Sequence, residues 1–249
     1  MAKYKSLFNV EGTLGEVNFY KSEDGYHMRT KGGVSKSRIA NDPEFVRTRE
    51  NNNEFGRSAV SGKILRRAAI DLLADAKDSK VSSRLTTVMM NVKNTDTTSA
   101  RGLRSVDIGI QTPEGKALLK GFDFNRNAIL TAVLLSDFSL NTITGQITID
   151  NFVPNQRLSF PEGATHVSLS CGFLNLDFTT GSKDMQVSNI ENLPINGVST
   201  TVVLTPEAVP IGTGQSFYFL KVAFYQLING IQYPLNNGAF NALQLVEIV

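Results

Sequence analysis

The chain is poor in the residues that most often carry chemistry. Of its 249 residues one is cysteine, two are histidine and none is tryptophan. A single Cys171 excludes an intrachain disulfide and a cysteine-based metal site. His27 and His166 are the only bases available to a Ser–His or Cys–His arrangement. Cys171 stands five residues after His166 in a strand-like run, so the two are expected on opposite faces. The lack of Trp removes the commonest platform for stacking sugars. No HExxH motif, EF-hand loop, P-loop or dinucleotide fingerprint occurs, and Gly12–Gly15 and Gly212–Gly214 read as turns. Long apolar runs are missing as well. Nothing approaches the roughly 18 uninterrupted apolar residues of a membrane helix. MAKYKSLFNVEG lacks the apolar core of a signal peptide. The expectations are therefore no catalytic residue, metal, cofactor or membrane span, and synthesis in the cytosol with release as part of a particle left open.

What is present describes a globular chain. Apolar residues make up 41%, enough for a sizeable core. Charge is unevenly spread. Residues 1–105 hold 19 Lys and Arg against 12 Asp and Glu, a surplus of +7. Residues 106–249 hold 6 against 11, a balance of −5. Such asymmetry fits a basic part that meets nucleic acid or an acidic surface, including the acidic half of a second copy. It also fits two solvated surfaces of unlike sign.

Along the chain, residues 7–31 read as a β-hairpin turning at Glu23-Asp24-Gly25. Tyr26, Met28 and Thr30 share one face of its second strand, and His27, Arg29 and Lys31 the other. Residues 32–41 read as a basic linker. Asp42-Pro43-Glu44 then marks a helix start: Asp to cap, Pro for the first position, Glu for the positive end of the dipole. A stripe at steps of three and four follows, through Phe45, Thr48, Asn52, Phe55, Ala59 and Gly62 to Leu65, Ala69, Leu72 and Ala76. Polar and small side chains interrupt this stripe, which suits contact with another subunit better than a simple oily core. The alternative is a helix broken near Gly56 or Gly62. A second helix over 80–93 shows Val81, Leu85, Val88, Met89 and Val92 on one face.

Residues 94–105 are polar and lack periodicity, which places a domain boundary there. Beyond it, strands are expected at 106–111, 129–135, 138–143, 145–152, 166–178, 185–190, 200–205, 216–228, 231–235 and 241–248, with a short helix at 113–120. Asn229-Gly230 is the clearest hairpin turn. FYFLKVAFYQLI, 217–228, is apolar on both alternating faces. Either the N-terminal helices cover its second face or a neighbouring subunit does.

The run Gly12, Gly15, Val17, Phe19, Tyr20, Gly25, Arg29 and Lys31 resembles the start of an uncharacterised bacterial protein family. So do Arg47-Thr48-Arg49-Glu50-Asn51-Asn52-Asn53-Glu54-Phe55 and Phe160-Pro161-Glu162-Gly163-Ala164-Thr165-His166. The resemblance implies an organisation and no mechanism.

The expected architecture is α+β: an N-terminal β-hairpin and two helices (1–105), then an all-β sandwich-like domain (106–249). The expected function is a non-enzymatic structural or interaction protein that self-assembles as a homo-oligomer into a filament, tube or particle. Its interface would use Phe45, Thr48, Asn52, Phe55, Ala59 and Gly62, with Thr48 and Asn52 fixing register. An arm, a long helix and a β domain in this order resemble some phage coat subunits. The rival is nucleic-acid binding through Arg29, Lys31, Lys36, Arg38, Arg47 and Arg49. A ligand-binding sandwich is the third reading.

Overall fold

The computed structural model describes residues 2, 3, 10–30 and 32–249. The chain divides into two compact units, 1–49 and 50–249. The expected boundary near residue 105 lies inside the second unit.

In the first unit, β1 (Ala2–Lys3), β2 (Gly12–Leu14), β3 (Val17–Ser22) and β4 (Gly25–Thr30) form an antiparallel sheet in the order β1-β4-β3-β2. Its central hairpin closes at Ser22↔Gly25, with Gly25 at φ +111°. The register pairs Leu14 with Val17, and Phe19 with Met28, on one face. Tyr20 pairs with His27, and Asn18 with Arg29, on the other. The sheet is therefore greasy on one side and polar on the other, as strand alternation requires. Lys31 and residues 7–9 of the expected hairpin lie outside the described residues.

Where a linker was expected, a short helix forms: α1 (Lys36–Asn41). Ser35 caps it by accepting the Arg38 N–H at 3.2 Å. Six residues without an apolar period leave no signature of a helix. Asp42 ends α1 and caps a 3-10 turn over Pro43–Phe45, accepting the Glu44 N–H at 3.0 Å. Arg49 donates to the carbonyls of Ile39 and Asp42 at 2.8 and 2.9 Å, a cation at a helix C-terminus. The long helix α2 (Val46–Ala68) follows, unbroken at Gly56 and Gly62.

In the second unit the helices are α3 (Ile70–Leu73), α4 (Val81–Asn94), α5 (Val106–Gly109), α6 (Pro113–Leu119), α7 (Leu130–Val133) and, within the strand-rich part, α8 (Pro154–Arg157). The strands are β5 (Ser139–Leu140), β6 (Ile147–Phe152), β7 (His166–Leu176), β8 (Lys183–Val187), β9 (Glu191–Pro194), β10 (Thr200–Leu204), β11 (Gln215–Ile228), β12 (Ile231–Pro234) and β13 (Ala242–Ile248). Residues 106–111 and 129–135, expected as strands, contain α5 and α7 instead. Short Val/Ile/Leu runs satisfy both periods, and the Ser105 side chain, accepting from Ile108 N–H, decides for helix at the first. The other expected strands are found, and β9 is an addition.

Strand β11 organises this unit. It pairs with β7 along one edge, and with β12 and β13 on the other, while β7 carries β8 and β9. Asn229 and Gly230 take φ +50° and +81°, the pair of positive values that a two-residue hairpin turn requires. Both faces of the curled sheet are buried. Leu174, Leu176, Phe217, Phe219, Leu243 and Leu245 pack against Leu65, Leu72, Leu85, Met89 and Val92 of the helices. Val167, Leu169, Tyr218, Leu220, Val222 and Phe224 pack against a second sheet, β10-β6-β5, through Ile147, Ile149, Phe152, Val202 and Leu204. Of the two covers considered for 217–228, the helices of the same chain supply the second. The architecture is α+β, with helices, a large antiparallel sheet and a small sheet in three layers. Gly172 is the notch that admits the helices, because a Cβ there would lie 2.6 Å from Leu72.

Sheet edges are sealed from within. Residues 121–124 run beside β13, exchanging Phe124 N–H to Leu243 O (2.8 Å) and Leu245 N–H to Phe122 O (3.1 Å). The edge of β10 is covered by Asn189, which donates to Val203 O and accepts from Thr205 N–H at 2.9 Å. Such covers prevent edge-to-edge pairing.

Candidate association surface

The first unit has sheet and helix. Among the described residues of 10–49, none is buried. Leu14 is 74% exposed and Met28 40% exposed on the greasy face of the sheet. A small sheet needs a hydrophobic face packed on something to be stable. The polar face has its own internal order. His27 stacks on Tyr20 with centroids 5.4 Å apart, and Arg29 lies 5.8 Å from the Tyr20 ring. Ser22 Oγ meets His27 Nε2 at 2.8 Å, while Nδ1 of the same ring has no hydrogen-bond partner. A nucleophile–base pair whose base lacks an orienting acceptor is half of a catalytic arrangement. His166 and Cys171 do point to opposite faces, since they stand five residues apart in β7 and Cys171 shares the face of Val167 and Leu169 in the core between the sheets. Burial pushes the Cys171 thiol up to about 11, so it is an inert core side chain.

Helix α2 turns a polar side inward. Its buried residues are Glu54, Ser58, Ser61, Gly62, Leu65 and Ala68. That face runs one residue out of phase with the expected stripe through the first half of the helix. Of the stripe, Phe45, Thr48 and Ala59 are half-buried, Asn52 is exposed and Phe55 is 55% exposed. Gly62 is buried and faces Leu85 and Met89 of α4, and Leu65, Ala69, Leu72 and Ala76 further along the stripe are buried as well. Val60 is likewise 55% exposed.

Glu54 explains the inward polar face. It is 2% exposed and pairs with Lys93, itself 4% exposed. Its other oxygen accepts from Gly102 N–H at 2.7 Å and Arg104 Nε at 3.1 Å. Burial works against its charge, and the bonds from Lys93, Gly102 and Arg104 outweigh it, holding the carboxyl below its usual range. Ser58 and Ser61 donate back to Glu54 O and Arg57 O, so their hydroxyls are satisfied by the helix itself. Sequence reasoning missed this node because it sought apolar residues. The available signal was the 54, 58, 61, 65, 68, 72 period, with polar side chains admitted.

The segment 94–105 is stitched to the same node. Asp96 is buried and accepts the N–H groups of Thr98, Ser99 and Ser105 at 3.0–3.1 Å, plus the Thr98 hydroxyl at 3.0 Å. Burial opposes its charge, and these donors overcome the penalty, holding it at about 2. With a folded value below the unfolded one near 3.8, its stabilisation is complete above about pH 4 and lost as pH falls through about 2. Asp96→Asn is thus expected to be less stable than the parent at neutral pH. The gap should close between about pH 4 and pH 2, read from denaturant curves at fixed pH.

This stitching consumes the basic residues. Arg57 donates to Leu103 O, Arg101 pairs with Glu50, and Arg84 with Asp78 and the carbonyls of Asp123 and Phe124. In the first unit Arg38 pairs with Asp42 and Glu44 and lies 5.5 Å from the Phe45 ring, and Arg49 clamps α1. Lys36 and Arg47 are exposed. Glu54 and Arg57, three residues apart on α2, part company: Glu54 is buried and Arg57 is exposed.

With the inner face of α2 so engaged, its outer face borders a groove on α4. Phe55, Ser83, Thr86, Thr87 and Met90 line it, and no charged residue does. The hydroxyls of Ser83, Thr86 and Thr87 donate to carbonyls of α4's own first turns, which lowers the polarity of the groove, although Ser82 and Asn91 also line it. No helix among the described residues is long and apolar enough to cross a membrane. No group of three or more His, Cys, Asp and Glu among the described residues is placed to hold a metal ion. In comparison with protein-family models, curated proteins and solved structures, nothing matches this chain.

Proposed function

We propose that this protein is a non-enzymatic structural subunit that self-assembles through its N-terminal unit and the outer face of α2. The observation that carries this reading is a sheet and helix in which none of the described residues of 10–49 is buried. Exposed apolar side chains such as Leu14 and Met28 gain stability when another surface covers them. Within the second unit, Phe55 and Val60 are exposed on a helix whose other side is anchored by Glu54, which puts further apolar side chains on a rigid support. Sedimentation and light scattering across concentration test it. Oligomers that grow with concentration are expected, and Phe55→Asp should weaken them by tenfold or more, since a charge replaces an apolar anchor. A monomer at every concentration would refute the reading.

Nucleic-acid binding is a second reading, favoured by one feature, the Tyr20–His27 stack beside Arg29. Aromatic and basic side chains together suit a single strand. It is the weaker reading because Arg38, Arg49, Arg57, Lys93, Arg101 and Arg104 are engaged by the chain's own acceptors. Binding of an oligonucleotide that falls by orders of magnitude between low and moderate salt would reverse that ranking.

A further inference from the structure

The β11–β12 hairpin runs past its sheet. The pairing of β11 with β7 ends at Tyr225↔His166, whereas the hairpin continues to Ile228↔Ile231. Its tip exposes Leu227 (43%), Ile228 (47%), Ile231 (56%) and Tyr233 (48%). No charged residue occurs anywhere from 222 to 246. A two-stranded projection with four large exposed apolar side chains is marginal in water unless something covers it.

We propose that this hairpin tip seats in the α2–α4 groove of a second copy of the chain. The inference rests on the self-assembly reading and names the two surfaces that meet. Three observations select this occupant. First, knob and groove are both uncharged, so their contact desolvates no charge, whereas a charged partner would leave one unpaired in either surface. Second, the groove offers about 610 Å³, room for the side chains at the end of a two-residue turn. Third, its wall already presents Phe55 and Met90, an aromatic and an adaptable thioether of the kind that accept aliphatic side chains. The tip alone is too small for a standard protein–protein interface, which buries roughly 800 Å² per partner. It acts together with the other exposed apolar side chains of the chain, Leu14 and Met28 among them. Because knob and groove are different surfaces, the contact is head-to-tail, and it generates rings if the rotation closes and filaments if it does not.

The test uses two variants of the full chain. Ile231→Asp spoils the knob, and Ser83→Glu places a charge in the groove at an exposed helix position. Both sites are exposed, so circular dichroism melts near the parent's are expected. Each variant alone should associate at least roughly 30-fold more weakly than the parent. An equimolar mixture should recover one-to-one heterodimers, because one copy keeps its knob and the other its groove. Ile228→Asp repeats the knob arm should the first variant fail to fold. Parent-like assembly by either variant would overturn the inference and leave self-assembly standing, as would a mixture that stays monomeric. A monomeric parent would remove both. Uncharged phosphatidylcholine vesicles that bind the parent but not Ile231→Asp, with association unchanged, would assign the tip to a lipid surface and overturn the proposal.

Discussion

Glu54→Ala is expected to cost about 3–5 kcal/mol of stability, the usual penalty for breaking a buried ion pair from one side. The loss has three parts. Lys93, 4% exposed, is left as a buried ammonium with its carboxylate gone. Gly102 N–H loses its acceptor, and so does Arg104. The 94–105 segment then keeps its ties from Arg57 to Leu103 O and from Arg101 to Glu50, while Asp96 holds its internal turn. Equilibrium urea curves measure the effect. The double variant Glu54→Ala with Lys93→Met is expected to recover much of it, because a well-packed apolar replacement of both partners is close to neutral. A single variant within about 1 kcal/mol of the parent would mean that water reaches Lys93 freely and that the node does not anchor α2.

Gly109→Ala comes next, at roughly 3 kcal/mol or more, through overpacking with no room to relax. A Cβ at this position would lie 2.1 Å from the Val92 carbonyl oxygen, a backbone atom of α4. One at Gly115 would lie 2.0 Å from the Gly109 carbonyl oxygen. The two glycines let α5 lie directly on the end of α4, and α6 on α5. Thr95 and Thr112 fix that stack, both donating hydroxyls to Gly109 O at 2.9 and 2.7 Å. For a domain of this size the expected drop in melting temperature is about 6–12 °C. Gly56 provides the control. Nothing lies within 4 Å of where its Cβ would be, so Gly56→Ala should stabilise by up to about 1 kcal/mol through helix propensity alone. If Gly56→Ala and Gly109→Ala cost the same, the close approach of α5 to α4 is wrong.

The sequence disclosed the parts of this fold that obey a period. Val81, Leu85, Met89 and Val92 announced α4, and 217–228 announced a strand buried on both faces, because apolar side chains recur at the spacing of the element. Asn229-Gly230 declared its turn through backbone chemistry. The illegible parts are those where polar groups do the packing. The inner face of α2 begins with Glu54, Ser58 and Ser61, whose burial depends on Lys93 and Arg104, some 40 and 50 residues away. No local pattern shows that pairing. The 94–105 segment reads as a linker because its order comes from Asp96 gathering backbone N–H groups, which needs no periodicity. Short apolar runs such as Val106–Gly109 fit helix and strand equally well until a cap decides. For the candidate surface, the sequence put Phe55 and Gly62 on one stripe, whereas Phe55 is 55% exposed and Gly62 packs on α4.

The pairing of β13 with β11 has a consequence for how the chain is made. Leu243 and Leu245 close the layer shared with the helices, and Ala242 and Val246 close the layer shared with the small sheet. Val92, the last core residue of α4, leaves the ribosome some 150 residues earlier, a lag on the order of ten seconds at ordinary elongation rates. During that interval the inner faces of α2 and α4 have been synthesised while their floor is still incomplete, lacking β13 to the last, so nascent chains of this protein carry a sticky intermediate that holdase chaperones would be expected to shield until Ile248 emerges.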